Sequence, residues 1–413
     1  MGAGGRELDI VLYGATGFIG NLVADYLATY LATVAAGVRI ALAGRSPARL
    51  AALRARLGTD WPVVVAEADD PAALRSLAAR AHVVISTVGP YGRCGLPMVE
   101  ACATTGTDYA DLAGEIPFVH ASVTRWHQAA VASGARIVHS CGFDSVPSDL
   151  NVLALHRRAR ADGADELGQT TFVLRTYSGG CSAGSLQTML DLMRVAADNP
   201  AIRTVLDDPY SLSPDRAHEP DLGPQPDVEA RSGSEIAPEL TGLWAGGYLM
   251  ALYNTRCVRR SNALQGWAYG RGFRYAETMS MGSTIAAPML AALTGLTITA
   301  AARLGGAYLR LLPAGLLETM MPAGAGYDQG ERGYYKVETY TTTTRGHRYV
   351  ATMSQHGDPG YSATAVLIGV CALALLRSRG RPGGVLTPAA ALGDELLELL
   401  PAAGVSLGTA QLG

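Results

Sequence analysis

Lysine is almost missing from this chain. Lys336 is the one lysine among 33 basic side chains in 413 residues, and the residue four positions before it is Arg332. That excludes any chemistry in which a lysine four residues after a tyrosine lowers the tyrosine pKa and makes it a proton donor. Cysteine is sparse and unpatterned. The six cysteines, at 94, 102, 141, 181, 257 and 371, make no C-x-x-C and no other zinc-type spacing, so no metal is expected. A chain of this size needs no covalent staples, and free thiols in a reducing compartment are the expectation. No basic run exists to track a phosphate backbone, and the net charge is −3, so nucleic acid is not an expected partner. The amino terminus reaches Asp9 without a basic, apolar leader, which argues against a signal peptide and for a cytoplasmic location. There is no H-E-x-x-H.

What is present is apolar material, 48% of residues, in an alternating order. Short β-type runs occur at Asp9–Tyr13, Arg39–Gly44, Pro62–Glu67, His82–Thr87, Thr107–Leu112 and Ala135–Ser140. Alanine- and leucine-rich helical stretches separate them. Strands that return after each helix run parallel, and right-handed crossovers give an α/β fold with a Rossmann-type doubly wound parallel sheet. After Ser140 the rhythm changes. Residues 146–160 predict a helix, Gln169–Tyr177 a strand, Tyr334–Gln355 an antiparallel hairpin and Tyr361–Arg379 a strongly apolar helix. Asp207–Leu240, with six prolines, reads as a lid, a surface loop or a disordered insert. The expected division is 1–148 for the nucleotide-binding domain, 149–359 for an inserted α+β domain for substrate or oligomerisation, and 360–413 for helices packing back on the first domain.

The stretch "YGATGFIG" carries the first chemistry. Gly14, Ala15, Thr16, Gly17, Phe18 and Ile19 lead to Gly20 in the form G-x-x-G-x-x-G, after a strand and into a helix. The first glycine allows the tight turn, the second admits a pyrophosphate to the backbone, and the third lets helix and sheet pack closely. The helix N-terminus offers unpaired N–H groups to phosphate. A merely structural turn is the alternative. The second strand ends "LAGRSP", with Arg45 and Ser46 where an acid for a ribose 2′-hydroxyl would stand. A guanidinium suits a 2′-phosphate, so NADP(H) is the expected cofactor. Thr87, Val88, Gly89 and Pro90 follow the fourth strand, where a nicotinamide ribose would lie.

These segments, with "VVISTVGPYGRCGLPMVEAC", "GTDYADLAGE" and "CGFDSVPSD", resemble the saccharopine dehydrogenase-like NADP oxidoreductases. The later segments "NTRCVRRSNAL", "ERGYYKVETYTTTT", "DPGYSAT" and "GVLTPAAALGD" extend the resemblance over nearly the whole chain, toward the actinobacterial trans-acting enoyl reductases of phthiocerol-type lipid assembly. The resemblance implies a Rossmann domain with an inserted α+β domain. It also implies a standalone reductase of a lipidic α,β-unsaturated acyl thioester, presented on a polyketide synthase carrier protein. Reduction of a C=N bond or a carbonyl, and NADP binding without turnover, remain alternatives.

Enoyl reduction needs a hydride at Cβ and a proton at Cα. Tyr91, Cys141 and Asp144 are the candidate catalytic residues, with Tyr109 and Glu115 nearby in sequence. Each has a structural reading as well, and Asp144 sits where a helix N-cap would. The uncharged run Ile285–Ala302, continued to Met321, is read as a buried or subunit-interface helix, as a membrane-surface element or as a span. It motivates three expectations: a homo-oligomer, peripheral contact with the inner membrane face, and an apolar cleft for an acyl chain.

Overall fold

The computed structural model describes residues 5–34, 37–179, 195–196, 199–304 and 333–413. The chain forms two units. The first contains Met1–Ala113, Phe118–Phe143 and Tyr361–Ala403; the second contains Gly114–Pro117, Asp144–Gly360 and Gly404–Gly413.

The first unit is built on β1 (Leu8–Tyr13), β2 (Ile40–Gly44), β3 (Val63–Val65), β4 (Ala81–Ser86), β5 (Asp108–Asp111), β6 (Arg136–Val138) and β13 (Gly384–Leu386). All pairs are parallel and the order is β13-β6-β5-β4-β1-β2-β3. The order reverses between β1 and β4, the switch point of a doubly wound sheet. The central strands are buried on both faces, which is why they read as unbroken apolar runs. The helices between them start and stop on local signals. The helix α2 (Pro47–Leu57) has Ser46 as its cap, Pro47 next, and Gly58 at φ 65° behind it. In α3 (Pro71–Arg80) the cap is Asp70, followed by Pro71. The helix α1 (Phe18–Val34) packs against the helix Ser362–Arg377, where Gly369 admits the ring of Tyr26; a Cβ at 369 would stand 2.6 Å from it. Buried Arg136 fixes the start of β6 by pairing with Asp108 and donating to the carbonyl oxygens of Leu375 and Ser378.

The second unit holds a mixed sheet of β7 (Leu167–Ser178), β8 (Arg231–Ser232), β9 (Trp244–Gly247), β10 (Arg274–Gly282), β11 (Tyr334–Thr343), β12 (Arg348–His356) and β14 (Val405–Leu412). Its order is β14-β12-β11-β7-β10-β9-β8, parallel only between β7 and β10. The expected hairpin is β11–β12. The helix expected from Val146 is present as Val146–Ala161 and packs on β7, β11 and β12. Two features differ from the reading of the sequence. Residues 405–412, assigned there to C-terminal helices, form a strand paired with β12. The proline-rich stretch from Asp207 is held to the helix Ala251–Leu264: Arg256 donates to Asp208 O at 3.1 Å, Arg259 to Pro209 O at 3.2 Å, and Arg256 pairs with Asp227 at 2.8 Å.

The apolar run from Ile285 forms the helix Ala287–Leu304, and its continuation to Met321 lies outside the described residues. Ala291, Thr294 and Ile298 are buried, and Gly246 and Gly247 of β9 accept the helix closely. The opposite face leaves Met289 and Leu296 65% and 68% exposed. Among the described residues no helix is long and apolar enough to cross a membrane.

Candidate cofactor site and the residues around it

The glycine loop leaves β1 at Gly14, whose φ of +89° is costly for any residue with a Cβ. A Cβ there would also stand 2.7 Å from Thr87 Oγ1 and 2.8 Å from Val88 Cγ2. The end of β4 therefore closes directly on the loop. Thr87 secures the contact by donating from Oγ1 to Gly14 O at 3.1 Å, while its N–H reaches Tyr13 O at 2.9 Å. The N–H groups of Gly14 and Ala15 both reach Ala43 O, so β1, β2 and β4 are joined at one point. At Gly20 a Cβ would lie 2.1 Å from Gly14 O, which presses the first turn of α1 on the loop.

Gly17 is different. It is exposed, and a Cβ on it would meet only Gly14 O, at 3.2 Å. Its missing side chain leaves open backbone on the outer side of the loop, at the start of α1, where a pyrophosphate would rest. Ala15 is buried, and Phe18 is exposed with its ring edge-on to Tyr361, centroids 4.8 Å apart.

Arg45 stands exposed at the end of β2 and has no hydrogen-bond or ion-pair partner among the described residues. Its charge is available to an anion. Ser46 accepts from Arg49 N at 3.4 Å as the cap of α2, which leaves its O–H hydrogen to donate elsewhere. The structure adds Arg49, which the sequence reading passed over. Its guanidinium donates to Thr16 O at 2.8 Å and joins α2 to the glycine loop. A cleft of about 260 Å³ lies there, lined by Thr16, Asn21, Arg49, Ala52, Leu53 and Arg56. Arg56 is committed to Asp25 at 2.7 Å. An open loop and an unpaired guanidinium at the end of β2 fit a dinucleotide with a 2′-phosphate.

After the exposed Gly89 and half-buried Pro90, Tyr91 opens a short helix and is buried. Its hydroxyl donates to Ser86 O at 3.0 Å and accepts from Leu112 N at 3.2 Å. It is a strut between the ends of β4 and β5, with its oxygen engaged on both sides. The next two strand ends are joined in the same manner. Asp111 accepts from Ala113 N and Ser140 N, and from His139 Nδ1 at 2.7 Å; His139 Nε2 meets Ser122 Oγ at 2.8 Å. All three side chains are buried. Ser140 adopts φ 66°, a left-handed value that is rare outside glycine and asparagine. Cys141 is fully buried, and burial pushes its thiol well above the ordinary range, with Cys371 beside it. Such a thiol is neither a nucleophile nor a ready acid.

Asp144 begins the long middle segment of the second unit. It is half-buried, and its carboxyl has no hydrogen-bond partner among the described residues. Burial raises its pKa to about 6. Ser145, not Asp144, is the cap of the following helix. Behind the turn, Glu277 is fully buried, and its carboxyl is pushed up to about 7 by desolvation against the donors Ser148, Asn254 and Tyr275. Glu115 is buried, and Tyr109 is fully buried with its hydroxyl pushed up by burial. Among the described residues no group of three His, Cys, Asp or Glu could hold a metal ion.

Comparison with known proteins agrees with this geometry. Residues 10–138 match the family described as saccharopine dehydrogenase NADP binding domain. A Mycobacterium tuberculosis protein provisionally named a trans-acting enoyl reductase is 55% identical over 421 residues, all of both chains. The trans-acting enoyl reductase of Mycobacterium bovis is 52% identical, covering 98% of this chain and 99% of its own. That of Mycobacterium ulcerans is 51% identical over all of both chains. Among solved structures, the apo saccharopine dehydrogenase (L-Glu forming) of Saccharomyces cerevisiae covers 98% of this chain with a TM-score of 0.56 at 14% identity. That likeness is one of fold.

Proposed function

The chain belongs to the family of trans-acting enoyl reductases, and from that membership we propose that it saturates the double bond of an α,β-unsaturated acyl thioester during polyketide or lipid synthesis. It is an NADPH-dependent oxidoreductase. The full-length likeness to named enoyl reductases carries the reading. NADPH, when bound, supplies the hydride that adds at Cβ. The protein must bind the cofactor, orient the thioester and deliver a proton to Cα.

The cofactor residues proposed are Gly14–Ile19, Arg45 and Ser46, with Thr87–Pro90 below the nicotinamide half. For the proton we propose Asp144. A carboxyl with a pKa near 6 and no partner is protonated in a useful fraction of molecules at neutral pH and is free to donate. Tyr91 and Cys141 are given structural roles, because the tyrosine hydroxyl bridges two backbone groups and the thiol is sealed in the core.

The substrate proposed is lipidic and carried by a synthase carrier protein. The uncharged exposed face of Ile285, Met289, Leu293 and Leu296 supports contact with the inner membrane face or with a second copy of the chain. Light scattering and vesicle flotation test this: Met289→Ser with Leu296→Ser is expected to abolish whichever contact the wild type shows. A wild type that is monomeric and never floats removes both.

The deciding assay offers pantetheine-linked and carrier-bound enoyl groups of several lengths with NADPH and follows saturation by mass. Saturation is expected, with free acids poor substrates. Failure at every length, alongside reduction of an imine or ketone, would transfer the protein to that chemistry.

A further inference from the structure

We infer that Asn254 is the positioning residue for the proton donor: its amide grips the turn Asp144–Ser148 from behind and sets where the Asp144 carboxyl stands. The inference rests on the reading of Asp144 as the donor.

Asn254 lies on the helix Ala251–Leu264 and is fully buried. Its Nδ2 donates to Asp144 O at 2.6 Å, and lies 3.1 Å from Ser148 Oγ and 3.0 Å from Glu277 Oε2. Its Oδ1 accepts from Ser145 Oγ at 2.7 Å. One side chain therefore holds three residues of the turn, across 110 positions of sequence.

The orientation of the amide is determined by its partners. Turned the other way, Oδ1 would face the carbonyl oxygen of Asp144, which has no proton to give. Glu277 is itself held by Tyr275, whose hydroxyl donates to Oε1 at 2.7 Å. Behind it, Ser261 bonds Asp149 in the first turn of the following helix. No aliphatic residue could replace Asn254, since four polar groups would lose a partner. Aspartate would keep the bond from Ser145 but would set a charge against Glu277 and Asp144 O.

Ser145 supplies the second line of argument. A serine at a helix cap ordinarily turns its oxygen to the N–H groups of the first turn, a bond worth about 1 kcal/mol. Here Ser145 is the cap and makes no such bond. Its hydroxyl is given to Asn254 instead. The turn is thus shaped by a residue outside it rather than by its own capping. Because the Asp144 carboxyl has no side-chain partner among the described residues, its place depends on the backbone that Asn254 holds. Displacement of a reacting group by about 1 Å can cost about 100-fold in rate. Among the described residues, the charged or titratable groups facing the turn include Glu277 and Tyr275 from β10 and Asp149 from the helix itself.

The test uses the full chain with Asn254→Ala, Asn254→Asp, Ser145→Ala and Asp144→Asn. The expected result for Asn254→Ala and Asn254→Asp is a kcat about 10–100-fold lower on a pantetheine-linked enoyl substrate. KM and the NADPH dissociation constant should stay within about twofold, and Ser145→Ala should show a smaller loss in the same pattern. A purely structural role would lower the melting temperature and leave kcat per folded molecule unchanged, which overturns the inference. The second readout needs no turnover. The Asp144 carboxyl, followed by carbon-13 NMR and assigned by its absence in Asp144→Asn, is expected to titrate at about 6 in the wild type. It should fall by about one unit in Asn254→Ala, or in Ser145→Ala if that variant alone folds, because a released turn re-solvates the carboxyl. An unchanged titration overturns the hold of Asn254. If instead Asp144→Asn keeps the wild-type kcat, the reading of Asp144 fails while the titration still decides what Asn254 does.

Discussion

The guanidinium of Arg49 lies 2.8 Å from the carbonyl oxygen of Thr16, so the first turn of α2 is tied to the glycine loop across 33 positions of sequence. Arg45, four residues earlier, is exposed and has no partner among the described residues. The two arginines therefore have separable tasks. Arg45→Asp is expected to weaken NADPH binding by about 100-fold or more, because a charge-assisted contact to the 2′-phosphate becomes a repulsion. NADH should change by about twofold or less. Arg49→Ala should weaken both cofactors alike by loosening the loop. Equal losses for NADPH and NADH in Arg45→Asp, read by fluorescence titration, would make Arg45 structural.

Two of the loop glycines separate on similar grounds. Gly20→Ala places a Cβ 2.1 Å from Gly14 O, a clash of the new methyl with fixed backbone, and should cost several kcal/mol and most of the soluble yield. Gly17→Ala meets only one oxygen at 3.2 Å and should fold. It should nevertheless bind NADPH about tenfold or more weakly, since its methyl occupies the space of the pyrophosphate. Normal NADPH affinity in Gly17→Ala would place the phosphates elsewhere.

Tyr91→Phe removes the hydroxyl that joins Ser86 O to Leu112 N. The Leu112 N–H is partly buried, and leaving a buried N–H without a partner costs about 1–3 kcal/mol, so a cost toward the lower end is expected. The variant should melt several degrees lower, with activity per folded molecule within a few-fold of the wild type. An unchanged melting temperature with activity lost by more than about 100-fold would return Tyr91 to the chemistry.

Glu277 makes stability depend on pH. Its carboxyl is raised from the ordinary 4.5 to about 7, chiefly by burial. Between those values the folded chain keeps a proton that the unfolded chain releases. Stability therefore falls as pH rises through that window, by about 3 kcal/mol, and is flat on either side. Glu277→Gln cannot ionise and should lack this loss. Urea unfolding at pH 4.5 and pH 8 should show the variant gaining on the wild type by about that amount at the higher pH. An equal difference at both pH values would mean that Glu277 titrates normally.

Much of the first unit was legible in the sequence. A parallel strand buried on both faces has to be an apolar run, a helix needs a cap and a stop, and a loop pressed between β1, β4 and α1 has to be glycine. These demands act over a few residues, so Gly14, Gly17 and Gly20 could be read where they stand. The NADP preference was legible for the same reason, since it depends on the residues at one strand end. The first strand of the mixed sheet and its hairpin also showed in their local β-type composition.

What the sequence could not decide were pairings between distant segments. Whether Tyr91 has a free hydroxyl depends on Leu112 N, which β5 brings beside the end of β4. Residues 405–412, read as part of C-terminal helices, are a strand because they pair along the edge of β12. The helix Ala251–Leu264 is polar on every side, a pattern that normally means solvent, yet nearly all of it is buried. Its arginines meet the carbonyl oxygens of the proline-rich stretch, and Asn254 meets Asp144, 110 positions away. A hydrogen bond leaves no periodicity in the sequence. It selects residue types that can donate and accept, and the fold alone decides which of them come within 3 Å.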